Sequence, residues 1–416
     1  MIKRILGNKN IRNGIWLYLL QIFNTVIPLI TLPYITRILG AEGYGTFSVA
    51  LNVVGYLQVL IEYGFGMSAT REVAVSDKEQ SILNSIFTNV ICARIILFLL
   101  SACISITYLS ITRSESILWV CLMIMTSSLI GYCFQQNWLF QGMQEMKYIS
   151  IISIIARTIS TILVFVIVHD KNDLIAYSIL YSISPLISGF TGFAVAKNKF
   201  HVNFIKVTLS EVLDELKKGW YVFTTQLSSK VFGAIGITFL GLFASRTEVG
   251  TFSAIQKIPN IMMLAWAPIS QVVYPISSQK MQISFAEGEK FIKRMRKIFL
   301  GLFVLVAVIV AIFAKYVVLV LFGAEYVDSF YWIYPLLAWM IVAINNNFIG
   351  IQTLLASGHD KQYSVCFQIS VTFTILLNLL LTFFFKGNGA SIAPVLSELI
   401  LLVSLTIQLR KIRKQV

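Results

Sequence analysis

The chain has 416 residues, of which 57% are hydrophobic and only 12% are charged, and its mean hydropathy is +0.79. Soluble globular chains carry roughly 45–50% apolar and about 25% charged residues, so a soluble enzyme is excluded. The formal net charge of +14 would suggest a nucleic-acid partner in a soluble chain. Here the basic residues lie between long apolar segments and at the two ends, so no nucleic acid is predicted.

A membrane-spanning helix requires about 20 mainly apolar residues, and twelve such segments occur in the chain. The sequence therefore predicts an all-α polytopic membrane protein. The first segment is long and contains two prolines, so we interpret it as a retained spanning helix and not as a signal peptide. The predicted spans are 13–36, 44–67, 84–109, 117–141, 149–168, 173–195, 218–244, 250–276, 298–321, 330–355, 362–385 and 388–410.

Lysine and arginine are distributed unequally between alternate connections of these spans. When residues near the ends of the spans are counted with the adjacent connection, the side that holds both termini carries 23 of them, whereas the other side carries 6. Cytoplasmic loops of membrane proteins carry the excess of Lys and Arg. The distribution therefore predicts that both termini are cytoplasmic, and it supports the count of twelve helices.

An internal repeat divides the predicted spans into two halves. The sequence 42–48 (EGYGTFS) opens the second predicted span, and 247–253 (TEVGTFS) opens the eighth. The two similar segments hold the same position in two six-helix halves, and the two halves have the same orientation. This arrangement predicts a parallel repeat. We expect an N-terminal lobe over 1–196, a charged cytoplasmic linker over 197–217 that leads into a short amphipathic surface helix at 209–218, and a C-terminal lobe over 218–416. The segment 277–297 is predicted to be a second charged connection.

Four cations lie inside predicted spans and away from the span ends that were counted with the connections: Arg94, Arg157, Lys230 and Lys257. Each charge at the bilayer centre costs about 2.5–3.5 kcal/mol on insertion scales, and such residues usually face a hydrated cavity or a partner. For Arg94 and Lys230, which lie deeper, we favour a role in a binding cavity. For Arg157 and Lys257, a structural ion pair or an extended side chain that reaches the interface stays an equal alternative.

Two acids lie inside predicted spans, Glu62 and Glu398. Glu62 is close in sequence to Arg71, which favours an ion pair between them. Glu398 is deep in the last span, where it either carries a proton or Na⁺, or neutralises one of the cations. Four cations against two acids leave an excess of two positive charges within the membrane. That balance suits an anionic group such as a phosphate.

Signals of catalysis are missing from the sequence. The five cysteines form no CxxC pair, the three histidines are far apart, and no P-loop, HExxH or GxSxG motif occurs. We therefore predict no catalytic residue, no metal site and no resident cofactor, and coupling to H⁺ or Na⁺ stays open.

Three motifs resemble one family of bacterial membrane proteins. The most specific is LPYITRILG at 32–40 followed by GYG at 43–45; FGAEY at 322–326 and LLASG at 354–358 also match the family's pattern. The chain resembles the Wzx-type polysaccharide-export flippases of the multidrug, oligosaccharidyl-lipid and polysaccharide exporter superfamily. The resemblance covers nearly the whole chain.

The resemblance implies a V-shaped transporter of two lobes with a cationic central cavity and alternating access. It implies the flipping of undecaprenyl-pyrophosphate-linked repeat units of O-antigen or capsule across the bacterial inner membrane. The implied partners are this lipid-linked oligosaccharide, membrane lipids, and a polysaccharide polymerase with its chain-length regulator. No single cavity residue carries over from the family.

Several alternatives stay open at this point. A cation-coupled multidrug exporter of the same superfamily would require a buried acid near its substrate, and the first span contains none. A lipid II flippase would usually carry two additional helices. A membrane polymerase of the same sugar pathway would be marked by a long periplasmic loop, which the sequence lacks.

Overall fold

The computed structural model describes residues 9–76, 79–112 and 115–414. Its regular elements are helices, and no β-strand occurs among the described residues. This confirms the predicted all-α fold class. The apolar composition explains the choice of helices, because a helix satisfies all its backbone hydrogen bonds internally and so tolerates a hydrocarbon environment.

The helices of the first half of the chain are α1 (9–39) and α2 (41–62), which are the two parts of Lys9–Glu62, then α3 (Ser68–Val75), α4 (Gln80–Thr112), α5 (Ser116–Ser127), α6 (Leu129–Phe134), α7 (Asn137–Gly142), α8 (Lys147–Ile167) and α9 (Leu174–Phe200). The second half comprises α10 (Leu209–Phe243), α11 (Arg246–Ile283), α12 (Phe285–Ile312), α13 (Ala314–Phe322), α14 (Ile333–Ile349), and α15 (360–385) and α16 (387–412), which are the two parts of Asp360–Ile412.

Ten helical segments of the described chain are long and apolar enough to cross a membrane. Two of them, Arg12–Glu62 and Asp360–Ile412, have 51 and 53 residues. Each would extend over about 75–80 Å at 1.5 Å per residue, more than twice the thickness of the hydrocarbon core. Both are interrupted, at Gly40 (φ 66°) and at Lys386 (φ 51°). These ten segments therefore account for all twelve predicted spans in a multi-pass membrane protein.

The predicted connections differ from the structure at two places. The segment 277–297 is helical apart from a break at the extended residue Ser284, where α11 ends and α12 begins. The predicted surface helix at 209–218 is not separate, because α10 runs without a break from Leu209 to Phe243. Both segments contain several Glu and Lys residues, which have high helix propensity, so spanning helices continue through them.

The chain folds into two compact units, one of Met1–Leu39 and Thr46–Val231, the other of Gly40–Gly45 and Phe232–Val416. Large side chains that are at most 1% exposed form the core of each unit. In the first unit they include Phe87, Trp138 and Phe140, and in the second Phe252, Phe322 and Phe348.

The short segment Gly40–Gly45 packs within the second unit through two of the sequence motifs. The amide of Ala41 donates a hydrogen bond of 2.9 Å to Oε2 of Glu325. A Cβ atom at Gly45 would collide with the carbonyl of Arg246, and one at Gly250 with the carbonyl of Ala41. Gly45 and Gly250 hold the same position in the two copies of the repeat, so the copies contact each other reciprocally through their glycines.

Candidate functional site

The fourth predicted span is broken, and Arg94 of α4 lies at the break. The helix stops at Phe134 and resumes at Asn137, with extended backbone at Gln135. Carbonyl groups in a last helical turn have no partner in their own helix. Nη1 of Arg94 donates to the carbonyls of Tyr132 (3.1 Å) and Gln135 (2.6 Å). Since Arg94 is only 5% exposed, its geometry supports the stabilisation of this break more directly than contact with a ligand.

Glu62, at the end of α2, lies in the same region of the first unit. Its Oε1 accepts a hydrogen bond of 2.9 Å from Nε2 of Gln58. The carboxylate is within electrostatic range of the Arg94 guanidinium. The predicted ion pair with Arg71 is absent among the described ion pairs, because turns at residues 63–67 separate α2 from α3 and leave Arg71 exposed. Glu62 therefore compensates the charge of Arg94.

Arg157 of α8 is half-buried and faces α1. Its Nη1 donates a hydrogen bond of 2.5 Å to Oδ1 of Asn24. The guanidinium also lies within electrostatic range of two phenol groups, those of Tyr132 and Tyr181. Arg157 thus has polar neighbours on three other helices of the first unit, and no carboxylate forms an ion pair with it in the described part of the chain.

Lys230, in the last turns of α10 that belong to the first unit, packs on α2. Its Nζ lies 5.8 Å from the centre of the Tyr56 ring. A Cβ atom at Gly55 would come within 2.5 Å of this Nζ, so the missing side chain provides the space for the ammonium group. The side chain is half-buried. A cation over an aromatic face is stabilised by about 0.5–2 kcal/mol, which helps to hold Lys230 in place.

The fourth predicted cation, Lys257 of α11, belongs to the second unit. Its side chain is exposed, and the described residues form neither a hydrogen bond nor an ion pair with it. The first unit therefore contains three of the four predicted cations together with Glu62, an excess of two positive charges.

Glu398 of α16 is buried in the second unit, where its side chain is 4% exposed. Nδ2 of Asn346 donates to Oε2 of Glu398 (2.6 Å) and to its backbone carbonyl (2.8 Å). No lysine or arginine of the described chain forms an ion pair with it. The sequence left two alternatives for Glu398, carriage of a proton or Na⁺ and neutralisation of a cation. The described residues show no cation paired with it, and its hydrogen-bond partner is the neutral amide of Asn346.

Sequence reasoning did not identify Tyr132, Tyr181 or Gly55 as part of this region. A tyrosine or a glycine in an apolar helix carries no signal of its own. The one sequence signal near these residues was QQN at 135–137, three amide side chains within a predicted span. The break after Phe134 lies at this position.

The chain is similar in sequence to a known protein family and to a named bacterial relative. The family described as "Polysaccharide biosynthesis protein" matches residues 11–281, more than half of the chain. The chain is 26% identical over 392 residues, 93% of each protein, to an Escherichia coli (strain K12) protein named "Putative O-antigen transporter".

Two solved structures show the same fold. One is the lipid II flippase MurJ in an inward closed conformation, with a TM-score of 0.72 and 14% identity over 96% of this chain and 87% of that chain. The other is an inward-facing multidrug resistance MATE family transporter of the MOP superfamily, with a TM-score of 0.67 and 11% identity over 94% of this chain and 99% of that chain.

The names of these three proteins are those of transporters and a flippase, in agreement with the prediction that the chain transports and does not catalyse. The match over 11–281 includes the motif at 32–45 on which the resemblance rested, and it confirms that resemblance. The chain belongs to the polysaccharide biosynthesis protein family.

Proposed function

We propose that this protein translocates lipid-linked oligosaccharide repeat units of a surface polysaccharide across the bacterial inner membrane. More finely, we propose undecaprenyl-pyrophosphate as the lipid carrier, O-antigen or capsule units as the glycan, and alternating access as the mechanism. The observation that carries the proposal is the excess of two positive charges in the first unit, in a chain whose relative is named an O-antigen transporter.

The chemistry of the substrate explains why such charges would be required. A pyrophosphate and a glycan cannot enter hydrocarbon without losing their hydration, and the transfer of an unpaired charge costs far more than folding stability can offset. Arg157 and Lys230 of the first unit would replace water around the anionic group, whereas the lipid tail stays in the bilayer. Both termini would be cytoplasmic, and the two units would correspond to the two lobes.

Coupling to an ion gradient is the natural source of energy for an uphill step. Glu398 is the residue we propose for it, because a buried carboxyl that forms no ion pair with a described residue is favoured when it is neutral. Release of the repeat units on the outer leaflet would supply a polymerase, which consumes them and acts together with its chain-length regulator.

The proposal is tested by the lipid-linked sugar pool of native cells with and without this chain. Undecaprenyl-linked sugars are extracted, and the leaflet that holds them is determined. Loss of the chain is expected to cause single repeat units to accumulate on the cytoplasmic side, with loss of surface polymer. Accumulation on the periplasmic side would indicate a polymerase, and an unchanged pool would favour the multidrug exporter.

A further inference from the structure

Three helices of the first unit cross where Arg157, Tyr132 and Tyr181 lie. Oγ of Ser160, one turn after Arg157 on α8, donates a hydrogen bond of 2.7 Å to the carbonyl of Leu180 on α9. This bond fixes the turn of α8 that carries Arg157 beside the turn of α9 that carries Tyr181.

The same part of α9 also contacts α6. A Cβ atom at Gly131 would collide with the carbonyl of Pro185, and one at Gly189 with the carbonyl of Gly131. Backbone contact this close fixes α6 against α9, and Tyr132 is the next residue after Gly131. The Arg94 hydrogen bond to the carbonyl of Tyr132 holds the same turn from the other side.

The side chains at this crossing are donors of hydrogen bonds. The guanidinium of Arg157 interacts electrostatically with both phenol groups, and the two phenols interact with each other. All three side chains are half-buried. Within the described chain, neither phenol oxygen has a hydrogen-bond partner, and of the Arg157 nitrogens only Nη1 has one, Asn24. Donors therefore remain for a ligand.

Two of the nearby acceptors each already accept a hydrogen bond. Oδ1 of Asn24 accepts from Arg157, and Oε1 of Glu62 accepts from Gln58. Glu62 also acts on Tyr132, but the adjacent Arg94 compensates its charge. A phosphate oxygen only accepts hydrogen bonds and a guanidinium only donates them, whereas a phenol hydroxyl can do either. Guanidinium with neutral hydroxyl donors is a combination that suits phosphate.

We propose that Arg157, Tyr132 and Tyr181 form the subsite that binds the phosphate group of the substrate. This subsite rests on the proposed function for its substrate, and it assigns two tyrosines that no sequence motif marks. The ligand chemistry is a phosphate or diphosphate, either at the head of an isoprenyl lipid or free in solution.

The experiment measures binding to the purified full-length protein by isothermal titration calorimetry. The probes are farnesyl diphosphate, inorganic pyrophosphate and farnesol. Tyr132→Phe and Tyr181→Phe remove one hydroxyl each and keep the ring. The matched control is Tyr177→Phe, one turn earlier on α9, whose ring packs on Phe47 at 4.5 Å.

Loss of one hydrogen bond to a charged ligand corresponds to roughly 1.5–3 kcal/mol, so each test variant is expected to bind farnesyl diphosphate about 12- to 150-fold more weakly. Tyr177→Phe and the wild type are expected to bind it equally. Equal loss with inorganic pyrophosphate would assign the site to the phosphate alone, and loss with farnesyl diphosphate only would assign it to the lipid headgroup. Farnesol binding is expected to be the same in all variants.

Unchanged affinity of both test variants for farnesyl diphosphate would overturn the subsite, as would an equal loss in Tyr177→Phe or for farnesol. The result is independent of the cellular test. An unaltered lipid-linked pool together with the expected binding would contradict the proposed function and leave the phosphate subsite standing.

Discussion

At the residue scale, the charge of Lys230 is the feature with the clearest consequence for transport. Lys230→Ala is expected to reduce export of the polysaccharide at least tenfold while the protein stays inserted. Lys230→Arg keeps the charge and is expected to retain more activity than Lys230→Gln. Surface polysaccharide and membrane insertion are measured together. Equal loss in the Arg and Gln variants would indicate that packing, and not charge, matters at this position.

Gly55 provides a second test of the same ammonium group. In Gly55→Ala the new methyl would occupy the position of the Lys230 Nζ, so export is expected to fall towards the level of Lys230→Ala. Gly233→Ala, three residues after Lys230 on the same helix, meets no atom within 4 Å and serves as the control.

Combining the substitutions separates displacement of Lys230 from general damage. Gly55→Ala is expected to have little further effect in the Lys230→Ala background, because residues in contact are not additive. Additive losses in the double variant would contradict this coupling.

Glu398 tests whether an ion gradient drives transport. Glu398→Gln keeps the shape of the side chain and its contact with Asn346, but it cannot release a proton. We expect the protein to fold normally and to lose the dependence of transport on an imposed proton gradient, as measured in vesicles at different inside and outside pH. Retention of full gradient dependence in this variant would exclude Glu398 as the coupling residue.

At the element scale, the break between α6 and α7 depends on Arg94. Arg94→Ala removes both hydrogen bonds to the carbonyls of Tyr132 and Gln135, a loss on the order of 2 kcal/mol or more. We expect the melting temperature of the purified protein to fall by several degrees. Arg71→Ala, an exposed position on α3, is the control with an unchanged melting temperature. A melting temperature equal to that of the wild type would contradict the role of Arg94 in stabilising the break. It would favour the prediction from the sequence that Arg94 lies in a binding cavity.

The spans were predictable because hydrophobic length determines them. Twelve apolar segments were visible in the sequence, and each overlaps a described helical segment, although the predicted span 298–321 crosses a helix break at Phe313. The helical structure of 209–218 and 277–297 was not predictable from the sequence. Charged residues with high helix propensity are typical both of loops and of helices that extend beyond the membrane. The break at Gln135 was equally hidden, since its stabilising cation, Arg94, is distant in sequence.

The candidate site was predictable only in part, for a physical reason. Intramembrane charges are rare enough to be recognised from sequence, so Arg157 and Lys230 were identified as candidates. The neighbours of these two residues depend on which faces of which helices pack against each other. The contact of Gly131 with Pro185 and the Ser160 hydrogen bond to Leu180 are tertiary, and periodicity along one helix does not contain them.

At the scale of the whole molecule, the family and the fold agree with the charges. The chain has the fold of the MurJ flippase and a MATE transporter at 11–14% identity, so the fold alone does not determine the substrate. The excess of positive charge in the first unit is what favours an anionic lipid-linked substrate over a cationic drug.

The most direct test reconstitutes the purified protein in vesicles that contain an undecaprenyl-pyrophosphate-linked oligosaccharide. A membrane-impermeant enzyme that modifies the sugar reports how much substrate lies in the outer leaflet over time. We predict that wild-type protein makes the inner-leaflet pool accessible, and that Lys230→Ala does so at least tenfold more slowly. Accessibility no faster than in protein-free vesicles, with intact folding and the appropriate ion gradient, would contradict the central claim.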